Sequence, residues 1–131
     1  MNQIYDSRPL ARYEIASGAT IACGSLVALD GSGKAVSASD TAGLRVIGAA
    51  VKTVDGKVEV GCGIIAFAND AGNPLTRADR GKAAFIKDAL TVDAAGGTNK
   101  ITAGIVVDVI DGDVYLDLTP AALAVAELAK K

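Results

Sequence analysis

Residues 69–118, NDAGNPLTRADRGKAAFIKDALTVDAAGGTNKITAGIVVDVIDGDVYLDL, decide the fold class of this chain. Within them, residues 69–72, Gly96-Gly97 and Asp111-Gly112 accept positive φ, which tight reversals require. Between those turns the apolar spacing has a period of two. Val114, Leu116 and Leu118 face one way while Asp113, Tyr115 and Asp117 face the other, the pattern of a half-buried strand. Residues 83–87, 90–92, 102–110 and 113–118 are therefore predicted strands. Thr76 is placed to cap one helical turn through Arg77, Ala78 and Asp79, with Gly81 ending it.

Upstream, the same grammar continues. Residues 13–23 and 26–29 are predicted strands divided at Gly24-Ser25, and residues 46–54 form another. Asp55-Gly56 then signals a two-residue hairpin into residues 58–67. In that strand Val58, Val60, Cys62, Ile64 and Ala66 share a face, and Gly61 and Gly63 mark a bulge, a bend or close backbone approach. Residues 31–43 have the composition of a loop, or of a short edge strand within a loop. Downstream, Thr119 is a predicted N-cap and Pro120 suits a first helical position, with Ala121, Ala124, Val125 and Leu128 as the apolar stripe. At the other end, Pro9 disfavours helix and biases Arg8 toward extended geometry, so residues 1–12 are predicted to form an extended arm. Neither heptads nor an internal repeat stands out.

With 131 residues the length fits one domain, and a separate second core is not expected. Hydrophobic residues make up 50% of the chain, yet Ala is the commonest of them and the aromatics amount to 3 Tyr, 2 Phe and no Trp. Ala buries little area, so such a core stabilises less per residue than one rich in Phe and Trp. Help from partner chains, and hence self-association, is expected.

The 13 basic and 15 acidic residues leave a net charge of -2, interspersed rather than clustered. Nucleic-acid binding needs concentrated positive charge and is not expected. No apolar run reaches the roughly 18 residues of a membrane span, and no basic region precedes an apolar stretch at the start, so a soluble, unexported chain is expected. Cys23 and Cys62 are read as reduced, buried thiols. The chain has 0 His, which removes His-dependent triads, Cys/His zinc sites and the commonest general base.

Other constellations give way to structural readings. Residues 30–34, DGSGK, lack the earlier glycine and the following Ser or Thr of a phosphate-binding loop, and are read as a turn. Gly61-Cys62-Gly63 is not followed by a third glycine and a helix, so it does not open a dinucleotide fingerprint. Asp70, Asp79, Asp88 and Asp93 sit where Asx side chains stabilise reversals, and no calcium-loop spacing links them. Lys57 lacks the Met-Lys context of a swinging-arm carrier. No catalytic, cofactor or metal residue is assigned. The functional candidate is the arm: Ile4, Tyr5 and Leu10 as apolar anchors and Arg8 and Arg12 as cationic ones, adding to a partner's sheet edge.

Gly48 and Ala49 in a strand, then IIAFAN, LTRADRGKAAFIKD and ITAGIVVDVIDGDVYLDL, resemble the capsid cement, or head decoration, proteins of tailed bacteriophages. The resemblance is clearest over residues 75–118 and looser over 13–67. It implies a virion protein, without catalysis or cofactor, that binds the outside of the expanded head, contacts the major capsid protein and clusters as trimers or dimers. It would occupy the host cytoplasm during assembly. The expected fold is mainly β, a single small β-barrel or β-tulip-like domain over residues 13–119, with the arm before it and a short helix over 120–131. The competing readings are another virion part, such as a tail tube or head-tail connector, and a carbohydrate-binding β-domain or hydrolase used at infection. The second needs exposed aromatics from a thin supply of Tyr5, Tyr13, Phe67, Phe85 and Tyr115.

Overall fold

The computed structural model describes residues 11–129. Strands β1 (Ala11–Glu14), β2 (Leu26–Leu29), β3 (Ala35–Ser37), β4 (Arg45–Val54) and β5 (Lys57–Gly61) form one sheet in the order β1-β5-β4-β2-β3. Strands β6 (Ile64–Asn69), β7 (Ala83–Ile86), β8 (Thr91–Asp93), β9 (Thr102–Ile110) and β10 (Asp113–Asp117) close into a barrel in the order β10-β6-β8-β7-β9. A 3₁₀ turn over Arg77–Asp79 lies between β6 and β7, and helix α1 (Pro120–Ala129) follows the barrel. The protein is mainly β, with a closed five-stranded barrel and one short C-terminal helix, as the sequence pattern implied.

The two sets of strands are copies of one unit, which the sequence reading missed. β1-β5-β4-β2-β3 and β6-β10-β9-β7-β8 have the same connectivity, and their details coincide. Val27 pairs with Gly48 as Ala84 pairs with Gly104, and the register slips at the next residue in both. A bulge at Val51 in β4 matches one at Val107 in β9. Gly24 and Ser25 exchange backbone hydrogen bonds with Ala50 as Gly81 and Lys82 do with Val106. Even the parallel contact recurs, since Ile15 bridges Ala35 as Asn69 meets Val92.

Backbone crowding fixes the glycine pair. Gly48 has φ +147 and a Cβ there would lie 2.6 Å from the carbonyl oxygen of Gly61; Gly104 has φ +145 and its Cβ would lie 2.8 Å from that of Asp117. Only glycine fits either place. Asp55 and Asp111, at φ 53 and 51, open the two Asp-Gly reversals the sequence predicted.

The units differ in closure. In the second, β6 completes the ring by pairing with both β10 and β8. In the first, β1 pairs fully with β5, but the β3 side is met just past its end, where Ile15 bridges Ala35 and Ala16 N donates to the Ala35 carbonyl at 2.9 Å, helped by the Glu14–Lys34 ion pair across the seam. Inside the first unit, Ile21, Val27, Ala35, Ala50, Val58 and Val60 form their own cluster. Their counterparts Leu75, Ala84, Val92, Val106, Val114 and Leu116 sit in a larger cluster, which also holds Leu26, Ala28, Val46 and Ala49 from the outer face of the first sheet. A second, smaller core therefore exists beside a main one that joins both units.

Several local expectations are corrected. Residues 13–23 are not one strand: β1 starts at Ala11, inside the segment assigned to the arm, and ends at Glu14. Residues 58–67 are split at Cys62-Gly63, where the chain passes between units; the shared face ends there, with Val58 and Val60 buried and Ile64 exposed. Thr119 caps α1 as predicted, its hydroxyl accepting from Ala122 N at 3.3 Å. The packed face of α1 is, however, Ala122 and Ala126 with half-buried Leu123, while Val125 and Leu128 point to solvent. Small side chains let the helix lie close on β9 and β7, and bulkier ones are turned away.

Candidate functional site

Of the arm residues, only Arg12 lies among the described residues; Ile4, Tyr5, Arg8 and Leu10 fall outside them. Arg12 stands in β1 opposite Glu59, and its Nε and Nη2 reach Glu59 Oε2 at 3.2 and 3.0 Å. Its guanidinium is thus engaged within the chain, although the side chain stays 70% exposed.

A cleft of about 480 Å³ opens between α1 and the first sheet. Tyr13, Val46, Ile47, Val60, Cys62 and Leu123 give it apolar walls, and Arg45 and Glu127 stand at its margin. Glu127 is held by Thr102, whose hydroxyl donates at 2.8 Å. The Cys62 thiol lies 3.8 Å from the Ile47 carbonyl oxygen, and burial pushes its pKa up, which keeps it protonated and a weak nucleophile. The cleft suits an apolar group and offers little to a reaction. Cys23 is exposed rather than buried, and both cysteines are free.

The four aspartates weighed as ligands or acid–base groups all brace turns. Asp70 accepts from Asn73 N at 3.2 Å, Asp88 from Leu90 N at 2.9 Å and buried Asp93 from Gly96 N at 2.9 Å. Asp79 completes a capping box, accepting from Thr76 N at 2.8 Å. Asp30 does the same for the DGSGK turn, taking bonds from Ser32 and Lys34 N. Among the described residues no group of three or more His, Cys, Asp or Glu is arranged to hold a metal ion. Phe67 is buried, and Tyr13, Phe85 and Tyr115 are only half-exposed, a poor platform for stacking sugars.

One aspartate acts between the units. Asp40, in the loop before β4, accepts from Thr98 N and Asn99 N, each at 2.9 Å, while Asn99 Nδ2 donates to its carbonyl at 3.1 Å. The Thr98 and then the Asn99 backbone N–H hold its carboxyl below the ordinary value of 3.8. The contact is tight: a Cβ on Gly97, at φ +56, would collide with Asp40 Oδ2.

The remaining feature is what the units display. The β4–β5 hairpin exposes Val51 and Val54 at 48% each, and the β9–β10 hairpin exposes their counterparts Val107 and Ile110 at 40% and 41%. The sequence signal for these positions was the shared V-x-x-V/I-D-G spacing before both turns. No family model, curated protein or solved structure matches the chain. Among the described residues no helix is long and apolar enough to cross a membrane.

Proposed function

We propose that this chain is a phage head decoration, or cement, protein that attaches to the outside of the expanded capsid and strengthens contacts between major capsid subunits. The observation that carries this reading is the display of apolar side chains, Val51 and Val107, at the bulges of two like hairpins of one β body. Exposed apolar pairs on such supports are suited to binding protein surfaces. A shell repeats the same contact many times, so modest affinity at each site becomes strong retention. The resemblance of residues 75–118 to cement proteins supports the same assignment, with a homo-oligomer as the bound form and the virion surface as its place.

The test is to mix purified protein with undecorated, expanded heads. Co-sedimentation with the heads, and greater resistance of the heads to heat or chelator, are the expected results. Failure to co-sediment, or binding without any gain in resistance, sinks the assignment. Removing residues 1–10 keeps the Ala11–Glu14 pairing of β1 with β5, so this truncation is expected to fold while losing capsid affinity; unchanged affinity would exclude the arm from the contact.

A further inference from the structure

The twin hairpins share a turn, a bulge and an exposed apolar pair, but their outward faces carry opposite charge. Across the first hairpin Lys52 stands opposite Glu59 and Val54 opposite Lys57. Across the second Asp108 stands opposite Tyr115 and Ile110 opposite Asp113. Residues directly opposite in an antiparallel pair share a face, as do alternate residues along a strand. The first face is therefore Lys52, Val54, Lys57 and Glu59, and the second Asp108, Ile110, Asp113 and Tyr115. Where one has lysine, its twin has aspartate, twice.

Nearby groups preserve this contrast. On the first face Glu59 is already neutralised by Arg12 at 3.0 Å and lies 3.8 Å from Lys52, leaving a net positive surface. On the second, Arg77 Nε pairs with Asp108 at 3.2 Å, while Asp113 is exposed. Both tips keep an exposed turn aspartate, Asp55 or Asp111, so these do not separate the faces. Beside Val54 lies a hollow of about 110 Å³ bordered by the charged groups of Arg12, Asp55, Lys57 and Glu59.

We propose that the two faces are the halves of a head-to-tail interface between copies of this chain. The β4–β5 hairpin of one copy packs against the β9–β10 hairpin of the next, with Ile110 seated by Val54 and Asp113 facing Lys57. Complementary charge selects this pairing over its rivals. Two first hairpins would bring Lys57 against Lys57, and two second hairpins Asp113 against Asp113, juxtapositions that suppress association. Because the surfaces in contact differ, the contact is heterologous and leads to a closed ring where the rotation closes and to an open chain where it does not. Capsid attachment is a separate matter: a protein that assembles this way yet ignores capsids keeps the interface and loses the proposed function.

Sedimentation velocity over a range of protein and salt concentrations tests it. The intact chain is expected to self-associate, less at high salt. Lys57→Asp and Asp113→Lys each give one hairpin the residue its twin already carries after Asp-Gly, so both turns retain workable sequences. Each single variant should associate about tenfold or more weakly, as like charges replace unlike ones. A 1:1 mixture of the two, which restores a Lys57–Asp113 contact between different molecules, should associate again, as should the double variant. An intact chain that stays monomeric, single variants that associate normally, or a mixture that stays apart overturns the interface. Zero-length amine–carboxyl cross-linking of mixed light and heavy-isotope wild-type protein reads the same contact without any substitution. A Lys57–Asp113 link between light and heavy copies supports it, and intermolecular links confined to other surfaces overturn it.

Discussion

The first unit is an almost-barrel and the second a complete one, though both follow the same plan. The difference lies at the seam and in the filling. β6 hydrogen-bonds on both sides, whereas the chain meets the second neighbour of β1 just past that strand's end, at Ile15 and Ala16. Where the second interior has Val92, Val106 and Leu116, the first has Ala35, Ala50 and Val60, a deficit that Val27 in place of Ala84 offsets only in part. Smaller fillers bury less apolar area and stabilise less, so the first unit draws on its neighbour for a second layer of packing. Its outer face contributes Leu26, Ala28, Val46 and Ala49 to the core of the barrel. One plan thus yields a closed barrel and a less closed companion, joined through one shared core.

The largest expected effects test whether the two units share their backbone constraint. Gly48→Ala and Gly104→Ala each place a Cβ against a carbonyl oxygen at a φ that L-residues avoid, at 2.6 and 2.8 Å. Urea unfolding should show a loss of about 3 kcal/mol for each, combining strain and overpacking. If either variant keeps wild-type stability, the equivalence of the two bulged strands is broken.

The next comparison concerns the interiors. Leu116 is 0% exposed and its twin Val60 1%. Leu116→Ala is expected to cost about 3 kcal/mol, and Val60→Ala, which removes less volume from the smaller cluster, about 2 kcal/mol. Equal losses, or a larger one at Val60, would reverse the ranking of the two cores.

Acid should loosen the clasp between the units. Asp40 has a depressed pKa in the folded protein, so its contribution is present above the unfolded value of 3.8 and fades as pH falls through the lower folded value. Below that range the amides of Thr98 and Asn99 should lose protection relative to their intrinsic exchange rates, and Asp40→Asn should show that loss already at neutral pH. Unchanged protection of both amides in the variant would remove Asp40 from the clasp.

The smallest effect is chemical. Exposed Cys23 should be alkylated well before Cys62 at neutral pH, since burial both hides the second thiol and keeps it protonated. Equal rates would show that the cleft under α1 opens readily.

Much of this plan was legible because turns are written in local chemistry. Asp55-Gly56 and Asp111-Gly112 announce reversals through φ alone, and Thr76 and Thr119 announce helical starts through one hydroxyl. The duplication was not legible. Twin positions demand equivalent burial rather than identity, as with Val60 and Leu116 or Ala50 and Val106, and the loops between them differ in length. A search for a fixed period loses such a signal in the loops. The helix face failed for a related reason: Val125 and Leu128 are the more apolar residues, but close approach to β9 selected Ala122 and Ala126. The facing charges were visible as residues, yet nothing in the one-dimensional pattern says that Lys57 and Asp113 occupy the same place.

By itself the sequence determined the mainly β class, the positions of the reversals and the absence of histidine chemistry, because each depends on residues adjacent along the chain. Only the tertiary structure decided that the strands form two copies of one unit, that one copy closes and the other leans on it, and that matching hairpins bear opposite charge. Those properties belong to pairs of residues brought together by strand pairing and packing, and contacts of that kind are set by the whole fold rather than by any local stretch.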